Sequence, residues 1–286
     1  MRLRSVRLSN LVFLAVLIVS AKCAKDQTAE EVIRESDHFI ILTTTQLSTI
    51  EENEKVQSHA EEIYKRLVEI LGEDRSPQKK ITIRLEGPFI QQGPYFDPDG
   101  IHLFRYTQEE GGYLALLTHE IGHAFREAFY VANEVWNWST YPYFDEGFSE
   151  YLAQLMEPGK TGFPFYGYPE DIVVGHMVQQ GKDIPQRTLR LEHDSLNDRC
   201  NIQAYCQRAS WCRYVHETYG WESLLAIIYS QREPTSEVVQ DLVGVDLETI
   251  DNDWRFWTSE KYSRQQDADS IAQQFVERTS WYVYCD

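Results

Sequence analysis

His119-Glu120-Ile121-Gly122-His123 places two imidazoles four residues apart, with a glutamate directly after the first. In a helix, residues four apart share a face, so both rings can converge on one ion. Imidazole nitrogen suits zinc, and three protein donors with a fourth position left open is the arrangement that activates water for hydrolysis. Glu120 faces the same cleft but is offset, the position of a carboxylate that takes a proton from that water rather than binding the metal. Two histidines are not a complete site, and the pattern requires a third ligand elsewhere in the chain.

Arg126 and Phe129 stand three and six residues after His123, where a metzincin would carry glycine and histidine, so that arrangement is excluded. Further on, Tyr143-Phe144-Asp145-Glu146-Gly147-Phe148-Ser149-Glu150-Tyr151 reads as a second short helix with carboxylates one turn apart. Glu146 can complete a His2Glu set around one ion. Glu150, four residues on, can accept a hydrogen bond from a ligand imidazole and fix its tautomer. Gly147 would let the two helices approach closely.

The elements that must position these residues follow from pattern. Residues 38–44 are rich in β-branched and aromatic types and read as a strand. Ile50, Val56, Ala60, Ile63, Leu67 and Ile70 recur at helical spacing and Gly72 stops that helix. Residues 81–85 alternate as a half-buried strand, 87–100 form a Gly/Pro-rich loop, and Ile101-His102-Leu103-Phe104 is expected as a short edge strand. From Tyr113 onward the chain reads as helices over about 112–130, 144–156, 169–180, 203–219, 221–230, 235–241 and 246–262. A small N-terminal β-sheet with a helix, followed by a mostly helical part, is an α+β fold with the active site in the cleft between the two. The implied boundaries are a leader at 1–23, a polar linker at 24–35, one domain at 36–262 divided into 36–110 and 111–262, and a C-terminal helix or tail at 263–286.

The segments LLTHEIGHAF and YFDEGFSEYLA together resemble the gluzincin metallopeptidases, the group that includes thermolysin-like and aminopeptidase-like enzymes. The resemblance implies one zinc ion held by His119, His123 and Glu146, Glu120 as general base, and Glu150 supporting His119. Residues 204–215, followed by Thr218-Tyr219-Gly220, resemble the helix after the zinc site in these enzymes, and the match makes Tyr205 the group that stabilises the oxyanion. Residues 244–248 and 254–257 resemble the closing helix of peptidase-MA-like domains, so the likeness spans roughly 36–262. Two departures qualify it. Twenty-two residues separate His123 from Glu146, an insertion carrying Trp136, Trp138 and Tyr141. The Gly-x-Met-Glu-Asn strand that recognises a free amino terminus is missing, with Leu103-Phe104-Arg105-Tyr106 in its place. The implied activity is therefore an endopeptidase rather than an aminopeptidase. Two alternatives stay open: a zinc hydrolase acting on a non-peptide amide, and an inactive metal-binding recognition module.

Composition narrows the setting. The 286 residues carry 27 Lys+Arg against 45 Asp+Glu, a formal charge of -18, which leaves no basic stripe for nucleic acid and disfavours docking on an anionic membrane. Arg2, Arg4 and Arg7 precede an apolar run from Leu11 to Val19 and small residues at Ser20 and Ala21, the layout of a secretory signal. That run is shorter than the roughly 20 residues needed to span a bilayer, so no stable membrane insertion is expected after its removal, although an uncleaved anchor stays open. The expected location is secreted or periplasmic and the expected partner a peptide or protein substrate. Export also permits disulfides, and among Cys200, Cys206, Cys212 and Cys285 the preferred pairing is Cys200–Cys206 with Cys212–Cys285. Asn137-Trp138-Ser139 is a glycosylation sequon. His38, His102, His176, His193 and His216 lack partners at ligand spacing and read as structural or surface residues, and Trp211, Trp221, Trp254 and Trp257 read as core.

Overall fold

Phe39, Ile41 and Thr43 alternate with less buried neighbours, the period-two pattern of a strand with one face in the core. In the computed structural model, which describes residues 31–44, 47–87, 95–104, 113–134, 142–156, 169–185 and 198–278, this is strand β2 (Phe39–Thr44). It pairs in parallel with β3 (Ile81–Glu86), which pairs in parallel with β5 (Gly100–Phe104). Two further strands close the sheet in antiparallel fashion: β1 (Glu31–Glu35) against β2 and β4 (Tyr95–Asp97) against β5. The strand order is β1-β2-β3-β5-β4.

Three sequence expectations are corrected here. Residues 31–35, assigned to the polar linker, form β1, held to β2 by antiparallel backbone pairing from Glu31–Thr44 to Glu35–Ile40, which needs no apolar pattern of its own. The expected loop at 87–100 contains β4, too short for a pattern of its own. And Ile101–Phe104 is not an edge strand: β5 lies between β3 and β4, so the edge on that side is β4.

The crossover from β2 to β3 is helix α1 (Ile50–Leu71). Thr49 caps it in a reciprocal box with Glu52: the Glu52 amide donates to Thr49 Oγ1 at 3.2 Å and the Thr49 amide to Glu52 Oε2 at 2.5 Å. Val56, Ala60, Ile63, Leu67 and Leu71 form its buried stripe. They share one core with Ile83, Ile101 and Leu103 of the sheet and with Leu117, Ile121 and Phe125 of α2 (Tyr113–Ala132). Helix α2 is buried continuously from Leu117 to Arg126, as a helix enclosed on all sides must be.

The remaining helices are α3 (Pro142–Met156), α4 (Glu170–Gln179), α5 (Asp198–Tyr219), α6 (Trp221–Ile228), α7 (Ser236–Val243), α8 (Leu247–Arg264) and α9 (Ala268–Arg278). Helix α3 packs against both α2 and α5. The sheet-first, helices-after order is the α+β class expected from the sequence. Gly147 does permit a close approach, but to α5 rather than α2: a Cβ there would sit 2.7 Å from Arg208 Cβ and 2.9 Å from the Arg208 carbonyl oxygen. The approach of α2 to α3 is made by Gly122 against Ser149, where an added Cβ would meet Ser149 Oγ at 3.2 Å.

Cys206 and Cys212 are buried free thiols, and no disulfide is present among the described residues. Cys200 and Cys206 belong to one helix, and six residues of helix separate their Cα atoms by about 9 Å, beyond the roughly 4.4–6.8 Å that a disulfide spans. Cys285 lies outside the described residues, as do the leader, Trp136, Asn137, Trp138, Tyr141, His193, Arg105 and Tyr106. Among the described residues no helix is long and apolar enough to cross a membrane.

Candidate metal centre

His119 and His123 project from the buried face of α2, one turn apart, and Glu146 from the first turns of α3. The three bring their donor atoms to one point. His119 Nε2 and His123 Nε2 are 3.0 Å apart, and Glu146 Oε2 is 3.2 Å from the first and 3.4 Å from the second. Donors bound at about 2.0–2.1 Å to a tetrahedral ion lie about 3.3 Å from one another, so the triangle fits such an ion. Among the described residues this is the one group of three that could hold a metal.

The imidazoles are oriented from behind. Glu150, 1% exposed, faces His119 Nδ1 through Oε2 at 3.1 Å, and a proton on Nδ1 then leaves the Nε2 lone pair directed at the centre. His123 Nδ1 has two neighbours, Ser149 Oγ at 3.2 Å and Asp145 Oδ1 at 2.9 Å. The Asp145 contact is a charge contact whose angle falls short of a hydrogen bond. Two imidazole nitrogens facing each other at 3.0 Å would repel if both carried lone pairs and nothing lay between them, so the arrangement calls for a cation, either a proton or a metal.

Electrostatics agree with that balance. Burial pulls His119 down, but hydrogen bonding to Glu146 and Glu150 outweighs it and holds the imidazole up to about 9. His123 is likewise raised against its burial, by Asp145 and Glu146. Burial pushes Glu146 up, yet the two histidines hold it well below the usual carboxylate range. An ion here would take the place of protons shared among three ligands.

Glu120, 5% exposed, is raised by burial, with the nearby His119 and His123 opposing. A carboxylate moved towards neutrality by an apolar setting is suited to accept and return a proton. Tyr205 reaches the centre from α5, its ring centroid 5.9 Å from that of His119. Burial, then the charges of Glu146 and Glu120, lift its phenol well above the ordinary value, so it stays a hydrogen-bond donor. Phe96, on the edge strand β4, lies against His123 with ring centroids 6.3 Å apart and planes 19° from parallel. The centre is thus bordered by α2, α3 and α5 and flanked by β4, the last strand of the sheet among the described residues.

The other described histidines lie elsewhere: His38 stacks on Tyr64, His59 lies against Tyr113, His102 joins Glu86, His176 contacts Tyr262 and His216 bonds Tyr151. Trp211 and Trp254 are core, and Trp221 and Trp257 pack at its margin. Sequence reasoning missed Asp145, Ser149 and Phe96. Asp145 and Ser149 were readable in principle as polar neighbours of Glu146 and Glu150 on one short helix, whereas Phe96 sits in a three-residue strand with no detectable pattern.

No protein-family model matches the sequence, and no curated protein does. Among solved structures, the catalytic module of the metalloprotease ZmpA from Clostridium perfringens is similar over 99% of this chain and 54% of that one, with 13% sequence identity and a TM-score of 0.40. This chain spans about half the length of that module.

Proposed function

We propose that this chain is a zinc peptidase that hydrolyses bonds within peptide or protein substrates. The observation that carries the reading is the near-equilateral triangle of His119 Nε2, His123 Nε2 and Glu146 Oε2, with Glu120 on the turn between the two histidines. Zinc in a His2Glu set supplies a Lewis acid and activates water near neutral pH.

The protein's own groups do the rest. Glu120 takes the proton of the attacking water and delivers it to the leaving amine. Tyr205 donates a hydrogen bond to the oxygen on which charge develops at the attacked carbonyl. Glu150, Ser149 and Asp145 hold the imidazoles in place so that no reorganisation is needed during the reaction. The β4 edge beside His123 offers backbone groups to an extended peptide, which would add to the sheet as a further strand. The absence of an amino-terminus recognition motif favours cutting within chains, and the leader-like first 23 residues favour action outside the cytosol.

The test is zinc content together with hydrolysis of an unbiased peptide library, on the chain without its leader and on Glu120→Gln. One equivalent of zinc in both, with cleavage by the first and a loss of about 10²–10⁴-fold in the second, is expected. Zinc in both with no peptide cleaved, but a non-peptide amide hydrolysed, would move the substrate class. Zinc in both with equal activity would remove Glu120 from the mechanism.

A further inference from the structure

Arg126 stands one helical turn beyond His123 and is 2% exposed, one of the largest fully buried side chains in the molecule. Burying a guanidinium carries a heavy desolvation cost and seldom improves stability over an apolar residue of similar size. Its placement shows what it does instead. Arg126 Nη1 is 2.8 Å from Asp145 Oδ1, and that same oxygen is 2.9 Å from His123 Nδ1. One carboxylate oxygen therefore joins a ligand imidazole to a buried cation.

The guanidinium is itself fixed. It lies over the Tyr130 ring at 5.1 Å, and the Tyr130 hydroxyl donates to the Ile228 carbonyl at 2.6 Å, which ties this end of α2 to α6. Arg126, Asp145 and His123 thus form a rigid line from the helical core to the metal centre. Asp145 also adjoins Glu146 in sequence, so whatever fixes Asp145 fixes the start of α3 from which the third ligand projects.

We propose that Arg126 is a positioning residue of the metal centre, acting through Asp145 to aim His123 Nε2 at the point where the other two donors meet. The inference rests on the metal-centre reading above and adds to it a buried cation that touches neither metal nor substrate. A merely structural ion pair would hold α2 to α3 without any bearing on metal affinity.

The two roles separate in a paired variant. Arg126→Met with Asp145→Asn removes both members of the ion pair without leaving either buried alone, so the metal-free fold is expected to persist, its unfolding temperature lowered at most by the loss of the Asp145 contact to His123. Zinc affinity, measured on the full chain by competition with a chromophoric chelator at fixed pH, is expected to fall about 10–100-fold. The visible bands of the cobalt-substituted protein should shift with the altered ligand geometry. Arg126→Lys keeps the charge but loses the planar fork, and its zinc affinity should fall between the two. Unaltered zinc affinity in the paired variant, or in Arg126→Lys if the paired variant does not fold, would overturn the inference while leaving the metal centre standing. An unaltered chain that binds no zinc at all would overturn both.

Discussion

His102 on β5 and His119 on α2 are both buried imidazoles with a carboxylate beside each ring nitrogen. At His102, Glu86 Oε1 is 2.5 Å from Nδ1 and Asp97 Oδ2 is 3.3 Å from Nε2, so the carboxylates approach from opposite sides and span three adjacent strands. The Tyr95 ring covers one face of the imidazole at 4.3 Å between centroids. At His119, Glu150 takes the outer nitrogen, while the inner nitrogen points to where His123 and Glu146 also point. The donor types are alike, and what differs is convergence. A flat sheet spreads its side chains across strands about 4.8 Å apart, and a histidine there is clamped between acids. Two helices crossing at Gly122 bring three donors to one point.

The largest effect that would sharpen this contrast is the loss of a converging donor. His119→Ala should weaken zinc binding well beyond the roughly 10–100-fold cost of losing an outer partner, whereas His102→Gln should leave one equivalent bound. Measurement of bound zinc after dialysis decides both, and zinc loss in the His102 variant would break the comparison.

Tyr205→Phe keeps the ring beside His119 and removes only the donor. Turnover should fall about 10²–10³-fold with zinc content unchanged, read from steady-state kinetics on a cleaved peptide. A fall in KM-dependent binding alone, with turnover intact, would assign Tyr205 to substrate docking instead.

Proton displacement comes next in size. His119 is held up to about 9 and His123 is also raised, so the metal-free centre carries protons at pH 7 that zinc must expel. Zinc affinity should rise with pH across 7 to 9, about tenfold per pH unit for each proton displaced, and calorimetry in buffers of different ionisation enthalpy counts those protons. The stability of the metal-free fold runs the other way for His119: its contribution is complete below 6.5 and is lost as pH rises through about 9.

The smallest effect belongs to the clamped histidine. His102→Gln leaves Glu86 and Asp97 without their shared partner and should cost about 1–3 kcal/mol in chemical unfolding. Both carboxylates are about a third exposed and recover part of that loss from water.

Much of the fold was legible because its helices are long and strongly patterned. α1 was readable from its stripe and from Gly72, and the later helices from the prolines and glycines between them. β1 and β4 were not, since a three- or five-residue edge strand has too few positions to show a period. That omission misplaced the sheet edge onto Ile101–Phe104. The disulfides were inferred from compartment alone, a premise that says nothing of distance, and a single helix through Cys200 and Cys206 cannot close that bridge.

In the candidate site, His119, Glu120, His123, Glu146 and Glu150 were readable because helix spacing is a local rule: four residues apart means one face, wherever the helix lies. Arg126 gave no such signal, and Asp145 and Ser149 showed only as polar neighbours of Glu146 and Glu150, with no partner indicated. Each becomes meaningful only when α3 is laid across α2, which sets one Asp145 oxygen between His123 and Arg126. The sequence alone therefore determined which side chains share a helix face and what chemistry they could perform. The tertiary structure decided which donors converge, which histidines are clamped instead, and which edge of the sheet borders the centre, because those depend on crossings between segments whose separation in the chain carries no local trace.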